Sequence, residues 1–359
     1  MPYSLMLALS SAIATLILTP AVMALSRYLN VLDHPAPRRI HREPIPTLGG
    51  IAMVLAALGV AWAARSLPGP AQQLEIRPLV GFTLAAIPIF MLGLLDDLRG
   101  VPAWVKLAVQ ATAGLVLFRY GFNVSAITSP FGGSISSGYF SLPLTVLWVV
   151  IVINAINLID GLDGLAAGVV LIASTALWWV GRLHGDFYVM FMSAILIGVT
   201  LGFLRYNFPP ARIFMGDTGS QFLGLALAAV SLVENRKGSA TLTLLFPLVA
   251  MAVPIADAVL AFLRRLIRHQ SVFRADSDHI HHRLMKLGLS QRDAVLVLWF
   301  VAGYSGIMAV ILATLPPTYA MLMSVVLATG LFFAFEVLEF IGRKLSDRDR
   351  SGEDEEGRR

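Results

Sequence analysis

The sequence predicts an all-α, polytopic membrane protein with about eleven transmembrane helices. Of its 359 residues, 57% are hydrophobic and only 14% are charged, whereas soluble domains are about half apolar and about a quarter charged. The apolar residues form runs of about 20, the length that a helix needs to cross a bilayer core. The chain has no cysteine, which excludes disulfides and thiolate metal sites.

The predicted spans are joined mostly by short connections. No basic residue precedes the first apolar run, so we expect a retained span and not a cleaved signal peptide. We expect a membrane domain over residues 1–342 and a disordered cytoplasmic tail over residues 343–359, which are charged and poor in apolar residues. The predicted spans are 4–25, 47–65, 79–95, 103–120, 142–158, 164–181, 187–204, 219–234, 241–263, 295–314 and 317–341.

The distribution of basic residues predicts the orientation. Most of the 27 Lys and Arg residues lie in one set of alternate loops, and such loops are usually cytoplasmic. We therefore expect the N-terminus outside and the C-terminus in the cytoplasm. The same assignment places every polar cluster described below on the cytoplasmic side, whereas independent wet loops would occur on both sides. A single cytoplasmic site is predicted.

Acidic residues stand at the ends of several predicted spans. Asp96 and Asp97 end the run LGLLDDLRG, Asp217 precedes a span in RIFMGDTGS, and Asp257 lies inside one. Ionisable residues in membrane segments usually mark function, although a hydrogen bond between helices would explain Asp257 equally well. Adjacent helical residues point about 100° apart. We therefore expect one of Asp96 and Asp97 to bind metal or water and the other to pair with a basic residue.

The stretch NAINLIDGLDGLAAG, residues 154–168, interrupts an apolar run with polar residues at every third position. The glycines that follow Asp160 predict that the helix ends near this residue, with Asp163 on a turn. Asn154 and Asn157 would then line the last helical turns, and the two aspartates would lie at the mouth of the site.

Clustered carboxylates with neighbouring amides favour a hard cation. Mg²⁺ prefers oxygen ligands and is usually held by one or two carboxylates together with substrate phosphates. Lys106 lies within a predicted span, where a charge is costly unless it is paired. Asp96, Asp97 or a bound phosphate are its candidate partners.

Two loops carry the remaining polar candidates. Residues 32–50, LDHPAPRRIHREPIPTLGG, contain Arg42 and neighbouring arginines, whose guanidinium groups suit phosphate oxygens; positive-inside flanking explains them equally well. Residues 276–290, DSDHIHHRLMKLGLS, contain three histidines. Such a cluster could hold zinc, but the separate carboxylates favour hydrogen bonds from the histidines to a sugar or phosphate.

Taken in order, these motifs resemble the polyprenyl-phosphate N-acetylhexosamine-1-phosphate transferases, a glycosyltransferase 4-like family. The resemblance covers nearly the whole chain, and the ordered set is specific where one motif alone would be weak. The motifs are D-x-P…R-R-x-H…P-T-x-G-G at 33–50, DD at 96–97 with Lys106, N-x-x-N-x-x-D-G-x-D-G at 154–164, F-M-G-D-x-G-S at 214–220 and H-x-H-H-R at 279–283.

The resemblance implies a multi-pass enzyme of the bacterial inner membrane whose active site faces the cytoplasm. Members of the family transfer a sugar-1-phosphate from a UDP-N-acetylhexosamine to a polyprenyl phosphate, release UMP and need Mg²⁺, for which Mn²⁺ is a candidate substitute. We therefore expect the membrane and these two substrates as partners, and no nucleic acid. The lipid chain length, the downstream polymer and the oligomeric state, with a homodimer as one option, stay open at this point.

The resemblance also assigns roles to residues. Asp217 would be the main metal ligand with Asp97 beside it, and Asp96, Asp97 and Lys106 would lie at the catalytic centre near the lipid phosphate. Asn154, Asp160, Asp163 and Asn207 would hold the uridine side, and Phe214 would stack on uracil. The full set of expected substrate-binding residues is Arg42, Thr47, Asn154, Asn157, Asp160, Asp163, Asn207, Phe214, His279, His281, His282 and Arg283.

The histidine motif indicates a branch of the family. H-x-H-H-R resembles the branch that uses UDP-N-acetylglucosamine and undecaprenyl phosphate to begin O-antigen (lipopolysaccharide), common-antigen or wall-polymer synthesis. The peptidoglycan branch, which transfers phospho-N-acetylmuramoyl-pentapeptide, usually carries three uninterrupted histidines, whereas Ile280 interrupts them here. Transfer of that group, or of another N-acetylhexosamine-1-phosphate, is the alternative.

Mechanism and function class each have rivals. A lipid phosphate is already an anionic nucleophile, so we expect direct in-line attack on the β-phosphorus; a covalent phosphosugar on Asp96 or Asp97 is the alternative. An ion-coupled transporter is a rival from a different class, but the chain shows neither an internal repeat nor paired broken helices. An aspartyl intramembrane protease would need G-x-G-D, and Phe214 occupies the first glycine position.

Overall fold

The computed structural model describes residues 2–34, 43–128, 134–233, 245–267, 283–285, 287–316, 318–320, 322–327 and 329–330. This part of the chain is almost entirely helical. Its main helices are α1 (Pro2–Tyr28), α2 (Gly49–Ser66), α3 (Ile76–Arg99), α4 (Ala103–Arg119), α5 (Ser141–Ile159), α6 (Leu165–His184), α7 (Phe187–Asn207), α8 (Gly216–Val233), α9 (Leu245–Ala250), α10 (Ala252–Ile267) and α11 (Gln291–Leu312).

Short elements connect some of these helices. The strands β1 (Leu32–Asp33) and β2 (Ile45–Pro46) pair antiparallel, as do β3 (Ala126–Thr128) and β4 (Ser134–Ser136). Two 3₁₀ turns, Pro70–Gln73 and Gly138–Phe140, precede α3 and α5.

Among the described residues, seven helices are long and apolar enough to cross a membrane. They are α1, α2, α3, α5 with the 3₁₀ turn before it, α6, α7 and α11. The chain is therefore an α-helical multi-pass membrane protein, as predicted.

Four of the predicted spans are not among these seven. Those at 103–120 and 219–234 correspond to α4 and α8, and the one at 241–263 is divided at Met251 between α9 and α10. Most of the last one, 317–341, lies outside the described residues. The count of eleven spans, the orientation of the termini and the boundary at residue 342 stay predictions.

Helix α8 lies at the centre of the bundle. Every residue from Thr218 to Leu232 is buried, and the helix contacts α2, α3, α5, α6 and α7. A helix that is apolar all round is typical of a protein interior. On the outside, α1 packs against α7 and α2, and α11 packs against α6. The residues at the start of α8 are therefore held from several sides.

Two glycines allow the backbones of α2 and α3 to touch that of α8. A Cβ on Gly50 of α2 would lie 2.2 Å from the amide nitrogen of Gly219, and a Cβ on Gly93 of α3 would lie 2.4 Å from the Cα of Thr218. Real Cβ atoms do not approach backbone this closely, since interiors are already close-packed. The first turn of α8 is thus clamped between α2 and α3.

The segment before α2 is tied to the segment before α8 by backbone hydrogen bonds. The amide of Phe214 donates to the carbonyl of Pro46 (2.8 Å), and the amides of Gly49 and Gly50 donate to the carbonyls of Phe214 (3.0 Å) and Met215 (2.8 Å). These bonds join residues more than 160 positions apart and set the depth of α8 relative to α2.

We expect Gly50→Ala to destabilise the protein, because its methyl group would collide with backbone that cannot move aside. The cost should reach at least about 1–3 kcal/mol, the usual range for overpacking. Gly59 in the same helix is the matched control, because nothing lies within 4 Å of a Cβ at this position. Thermal unfolding in detergent should show a loss for Gly50→Ala and none for Gly59→Ala; equal melting temperatures would contradict the proposed close contact.

Candidate functional site

The first turn of α8 is capped by a carboxylate from another helix. Asp97, near the end of α3, accepts from the amide of Asp217 (2.7 Å), the amide of Thr218 (3.1 Å) and the hydroxyl of Thr218 (2.6 Å). The first amides of a helix have no partner within the helix, and they lie at its positive end. Both oxygens of Asp97 are thereby engaged. The structure gives Asp97 the role of a helix cap, and its role as a metal ligand stays a prediction.

Gly216 makes this cap sterically possible. Its φ is +66°, a conformation that glycine adopts without strain. A Cβ at this position would lie 2.5 Å from Oδ2 of Asp97 and 2.6 Å from the carbonyl oxygen of Thr47. Gly216, the first glycine of the GDTGS motif, therefore allows α3 and the loop before α2 to reach the start of α8.

Lys106 of α4 bridges two of the predicted carboxylates. Its Nζ lies 2.6 Å from Oδ2 of Asp96 and 2.7 Å from Oδ2 of Asp217. The amide of Val101 donates to the other oxygen of Asp96 (2.7 Å). Of the partners predicted for Lys106, Asp96 is confirmed, whereas its second partner, Asp217, was not predicted. Asp96 and Asp97 also have different partners, as the angle between neighbouring helical residues predicted.

Asp217 receives two further side-chain donors. Oδ1 accepts from Nδ2 of Asn157 (3.0 Å), and Oδ2 accepts from Nε2 of Gln221 (3.1 Å). The Asn157 amide also donates to the hydroxyl of Ser220 (2.9 Å). The second asparagine of the stretch at 154–168 therefore contacts the aspartate of the GDTGS motif directly.

Asn154 has a different environment from the predicted one. Its Nδ2 donates to Oε1 of Gln110 (2.7 Å) and to the carbonyl of Val150 (2.8 Å), and it does not line the cleft described below. Gln110 and Gln221, which join Asn154 to Asp217, were not predicted from the sequence. The available signal was a glutamine within each of the predicted spans 103–120 and 219–234.

The predicted break after α5 is confirmed. The helix ends at Ile159, and Gly164, with a φ of +74°, directly precedes α6. Two predicted residues hold this turn against the loop after α7. Oδ2 of Asp163 accepts from the amide of Ala211 (2.9 Å), and Asn207 accepts from the amide of Gly164 (3.0 Å) and donates to the carbonyl of Ile213 (2.9 Å). Asp163 and Asn207 thus stabilise the wall of the site.

Asp160 lies in the same turn. None of the described residues donates a hydrogen bond to its side-chain carboxylate. Burial, together with the negative charges of Asp217, Asp97 and Asp163, raises the pKa of Asp160 well above its ordinary value. A cation at this position would offset both effects, because opposite charge favours the ionised carboxylate.

A cleft of about 1620 Å³ lies where these groups meet, larger than the roughly 300–1,000 Å³ of ordinary small-molecule pockets. Its walls come from the ends of α1, α3, α5 and α7, from the β1–β2 pair and from the start of α8. The predicted residues that line it are Thr47, Asp97, Asn157, Asp160, Asp163, Asn207, Phe214 and Asp217.

The remaining predicted residues do not line the cleft or lie outside the described residues. Asp96 and Lys106 contact Asp217 from the side of α3 and α4 and are not lining residues, and neither is Arg283. Arg42, His279, His281 and His282 fall outside the described part of the chain.

Three exposed arginines that were not singled out in the sequence also line the cleft. Arg27 is in the last turn of α1, Arg99 ends α3, and Arg212 follows α7. Basic residues near the C-terminal end of a helix are favoured by its dipole, which would explain two of them by itself. Their position around one cleft also supplies guanidinium groups suited to phosphate oxygens.

The donor set of the cleft meets part of the needs of a hard cation. Within the described ranges, no group of three histidines or carboxylates has the arrangement of a metal site. Asp217 and Asp160, however, both line the cleft, and Mg²⁺ is typically held by one or two carboxylates plus substrate phosphates. The residues present fit a cation that binds together with a phosphate compound.

Comparison with known proteins gives the same family as the motifs. Residues 79–235, from α3 to the end of α8, match glycosyl transferase family 4. A protein of Bacillus subtilis named probable undecaprenyl-phosphate N-acetylglucosaminyl 1-phosphate transferase is 34% identical over 303 residues, which cover 84% of this chain and 83% of that protein.

Two further relatives agree with this assignment. The decaprenyl-phosphate N-acetylglucosaminephosphotransferase of Mycobacterium tuberculosis is 35% identical over 318 residues, covering 82% of this chain and 79% of its own. The undecaprenyl-phosphate alpha-N-acetylglucosaminyl 1-phosphate transferase of Thermotoga maritima is 32% identical over 331 residues, covering 91% and 96%. Because the likeness runs through most of each relative and the family match spans the segment from Asp96 to Asp217, the chain belongs to glycosyl transferase family 4 and is a multi-pass membrane transferase of the polyprenyl-phosphate N-acetylhexosamine-1-phosphate type.

Proposed function

We propose that the protein transfers N-acetylglucosamine-1-phosphate from UDP-N-acetylglucosamine to undecaprenyl or another polyprenyl phosphate. UMP would be released, and the lipid-linked product would begin a cell-envelope polysaccharide such as O-antigen. The names of the three relatives support this sugar and this acceptor. The observation that carries the proposal is the meeting of Asp217, Asn157 and Asp160 in one cleft, with Lys106 bound behind Asp217.

The cleft suits a nucleotide diphosphate. Arg27, Arg99 and Arg212 would bind phosphate oxygens, and Phe214 would stack on the uracil ring. Thr47 would lie by the nucleotide, and Arg42 with His279, His281 and His282 would complete the sugar and phosphate contacts, as the sequence predicts. Mg²⁺, with Mn²⁺ as a substitute, would be held by Asp217 and Asp160 together with the diphosphate, and it would offset the negative charge that develops there.

The reaction exchanges one phosphoanhydride bond for another. An oxygen of the lipid phosphate attacks the β-phosphorus, a new P–O bond forms, and the bond between the β-phosphorus and the bridging oxygen breaks. The electron pair of that bond leaves with UMP. Lys106, bound behind Asp217, would hold that carboxylate in place beside the reacting phosphates through its positive charge, so that positioning and charge supply most of the rate.

The hydrogen bonds of the two adjacent aspartates support direct attack over a covalent intermediate. Asp96 is bound by Lys106 and by the amide of Val101, and both oxygens of Asp97 cap α8. A carboxylate nucleophile would have to break these bonds before it could attack phosphorus. The lipid phosphate is anionic without such rearrangement.

We also propose that the site faces the cytoplasm from the bacterial inner membrane. Arg27, Arg99 and Arg212 come from three of the loops that the positive-inside rule makes cytoplasmic, and all three line the same cleft. The N-terminus would then lie outside. A homodimer is compatible with this arrangement.

The donor specificity can be measured with purified protein, polyprenyl phosphate and Mg²⁺. We expect UMP release with UDP-N-acetylglucosamine and at least about tenfold less with UDP-N-acetylgalactosamine or UDP-N-acetylmuramoyl-pentapeptide. A tenfold difference in rate corresponds to about 1.4 kcal/mol of activation free energy. Faster turnover with the pentapeptide substrate would favour the peptidoglycan reaction. No UMP release with any donor would contradict a transferase and leave the transporter as the rival.

Asp217→Asn should reduce kcat by roughly 10²–10³-fold, because it removes a charge at the reacting phosphates and the partner of Lys106. Asp293→Asn is the matched control, since Asp293 is an exposed carboxylate in the first turn of α11 that contacts Ser290. Full activity of Asp217→Asn in the UMP assay would remove Asp217 from the centre of the site.

The metal requirement has a separate test. Chelation with EDTA should abolish UMP release, and added Mg²⁺ or Mn²⁺ should restore it. Asp160→Asn should raise the Mg²⁺ concentration for half-maximal activity, roughly tenfold or more, because it removes a metal-binding charge without removing a hydrogen bond from the fold. Activity that survives thorough chelation would contradict the proposed metal.

A further inference from the structure

A chain of three side-chain amides, two of them buried, runs through the bundle and ends on Asp217. Nδ2 of Asn154 donates to Oε1 of Gln110 (2.7 Å), Nε2 of Gln110 donates to Oε1 of Gln221 (3.3 Å), and Nε2 of Gln221 donates to Oδ2 of Asp217 (3.1 Å). The chain joins α5, α4 and α8 in turn. Both glutamines are only 1% exposed.

The direction of this chain is determined independently at each end. The ionised carboxylate of Asp217 can only accept hydrogen bonds, so Gln221 must present its NH₂ group to it and its oxygen to Gln110. At the other end, Asn154 also donates to the carbonyl of Val150 (2.8 Å), which can likewise only accept. Every amide therefore donates toward Asp217. Hydrogen bonds aligned in this way polarise one another in a low-dielectric interior.

Amides at these positions need an explanation, because apolar side chains would cost less free energy to bury. A buried polar group costs free energy unless it is paired, and hydrogen bonds between membrane helices contribute only about 1–2 kcal/mol or less. If these amides served only to hold the helices together, the chain would not need to end on a carboxylate at the cleft. The termination at Asp217 suggests that the effect on that carboxylate is the reason for the chain.

The donors on Asp217 are distributed unequally between its two oxygens. Among the described residues, Oδ2 accepts from Lys106 and from Gln221, whereas Oδ1 accepts from Asn157 only. An ionised carboxylate has about four acceptor positions, so Oδ1 retains capacity for a further ligand. Gln221 completes the pair of donors that holds Oδ2 in place and thereby sets the rotation of the whole carboxylate.

We propose that Gln221, oriented by Gln110 and Asn154, is a positioning residue that holds Asp217 with Oδ1 available to the cation of the bound diphosphate. The inference rests on the transferase function proposed above. It also explains why Asn154, although part of the polar stretch at 154–168, does not line the cleft: its contribution passes through Gln110 and Gln221.

The test compares Gln221→Met and Gln110→Met with a matched control. Methionine is close to glutamine in length and is unbranched, so packing is largely kept. The control is Ser231→Ala, which removes a buried bond between Nε1 of Trp148 and the hydroxyl of Ser231 (2.8 Å). This bond also joins α5 to α8, but it lies near the far end of α8 and does not touch Asp217.

Two measurements are made on each purified full-length variant. Electron paramagnetic resonance measures Mn²⁺ binding to the protein with UDP present, which supplies diphosphate oxygens but no sugar to transfer, and the UMP assay gives kcat and KM. We expect both glutamine variants to weaken Mn²⁺ binding roughly 10–100-fold, the usual effect of losing a partner that orients a metal ligand, and to lower kcat. Ser231→Ala should lose a comparable amount of thermal stability while its Mn²⁺ affinity and kcat match the wild type.

The outcomes separate this inference from the proposed function. If the glutamine variants bind Mn²⁺ and turn over like Ser231→Ala while the wild type is active, the positioning role is overturned and the transferase stands. If the wild type releases no UMP, the proposed function itself fails. Should a single variant not fold, Gln110→Met/Gln221→Met removes both partners of the central bond together, which is less costly than leaving one buried amide unpaired, and the same loss of Mn²⁺ affinity is expected.

Discussion

The capping of α8 by Asp97 is the interaction on which the geometry of the site depends. Asp97 lies on α3, and its carboxylate accepts three hydrogen bonds from Asp217 and Thr218. The cap satisfies amides that α8 cannot satisfy internally, and it places a negative charge at the positive end of a fully buried helix. Because the side chain of Asp217 projects from this same turn, the cap also sets where Asp217 lies relative to α3, α4 and α5.

The site is assembled by packing that leaves little freedom. Gly50 and Gly93 bring two backbones against the first turn of α8, and Gly216 admits the carboxylate of Asp97. None of these glycines supplies a functional group. Their effect is to remove side chains that would separate the helices, so that acidic and basic groups more than 100 positions apart come within hydrogen-bond distance of one another.

The negative charges in the cleft are neutralised on one side only, and this determines which ligands the site suits. Lys106 offsets the charges of Asp96 and Asp217 on one side. Asp160 has no such partner among the described residues, and its pKa is raised by burial and by the neighbouring aspartates. Excess negative charge beside arginine-lined walls suits a diphosphate that binds with a divalent cation, since each component neutralises part of the other.

The sequence by itself determined the features that depend on local chemistry. Apolar runs predicted membrane helices, the glycines after Asp160 predicted the end of α5, and the charge of Lys106 within an apolar run predicted a partner, with Asp96 among the candidates. The order of the motifs identified the family, because this order can be read along the chain without knowing which residues are close in space. Only the tertiary structure decided which partner each group has. Asp97 caps a helix that begins 119 residues later in the chain, and Gln110 and Gln221 reach Asp217 through a chain of amides, because such pairings depend on which faces of α3, α4, α5 and α8 meet in the bundle and not on the neighbours of each residue in the sequence.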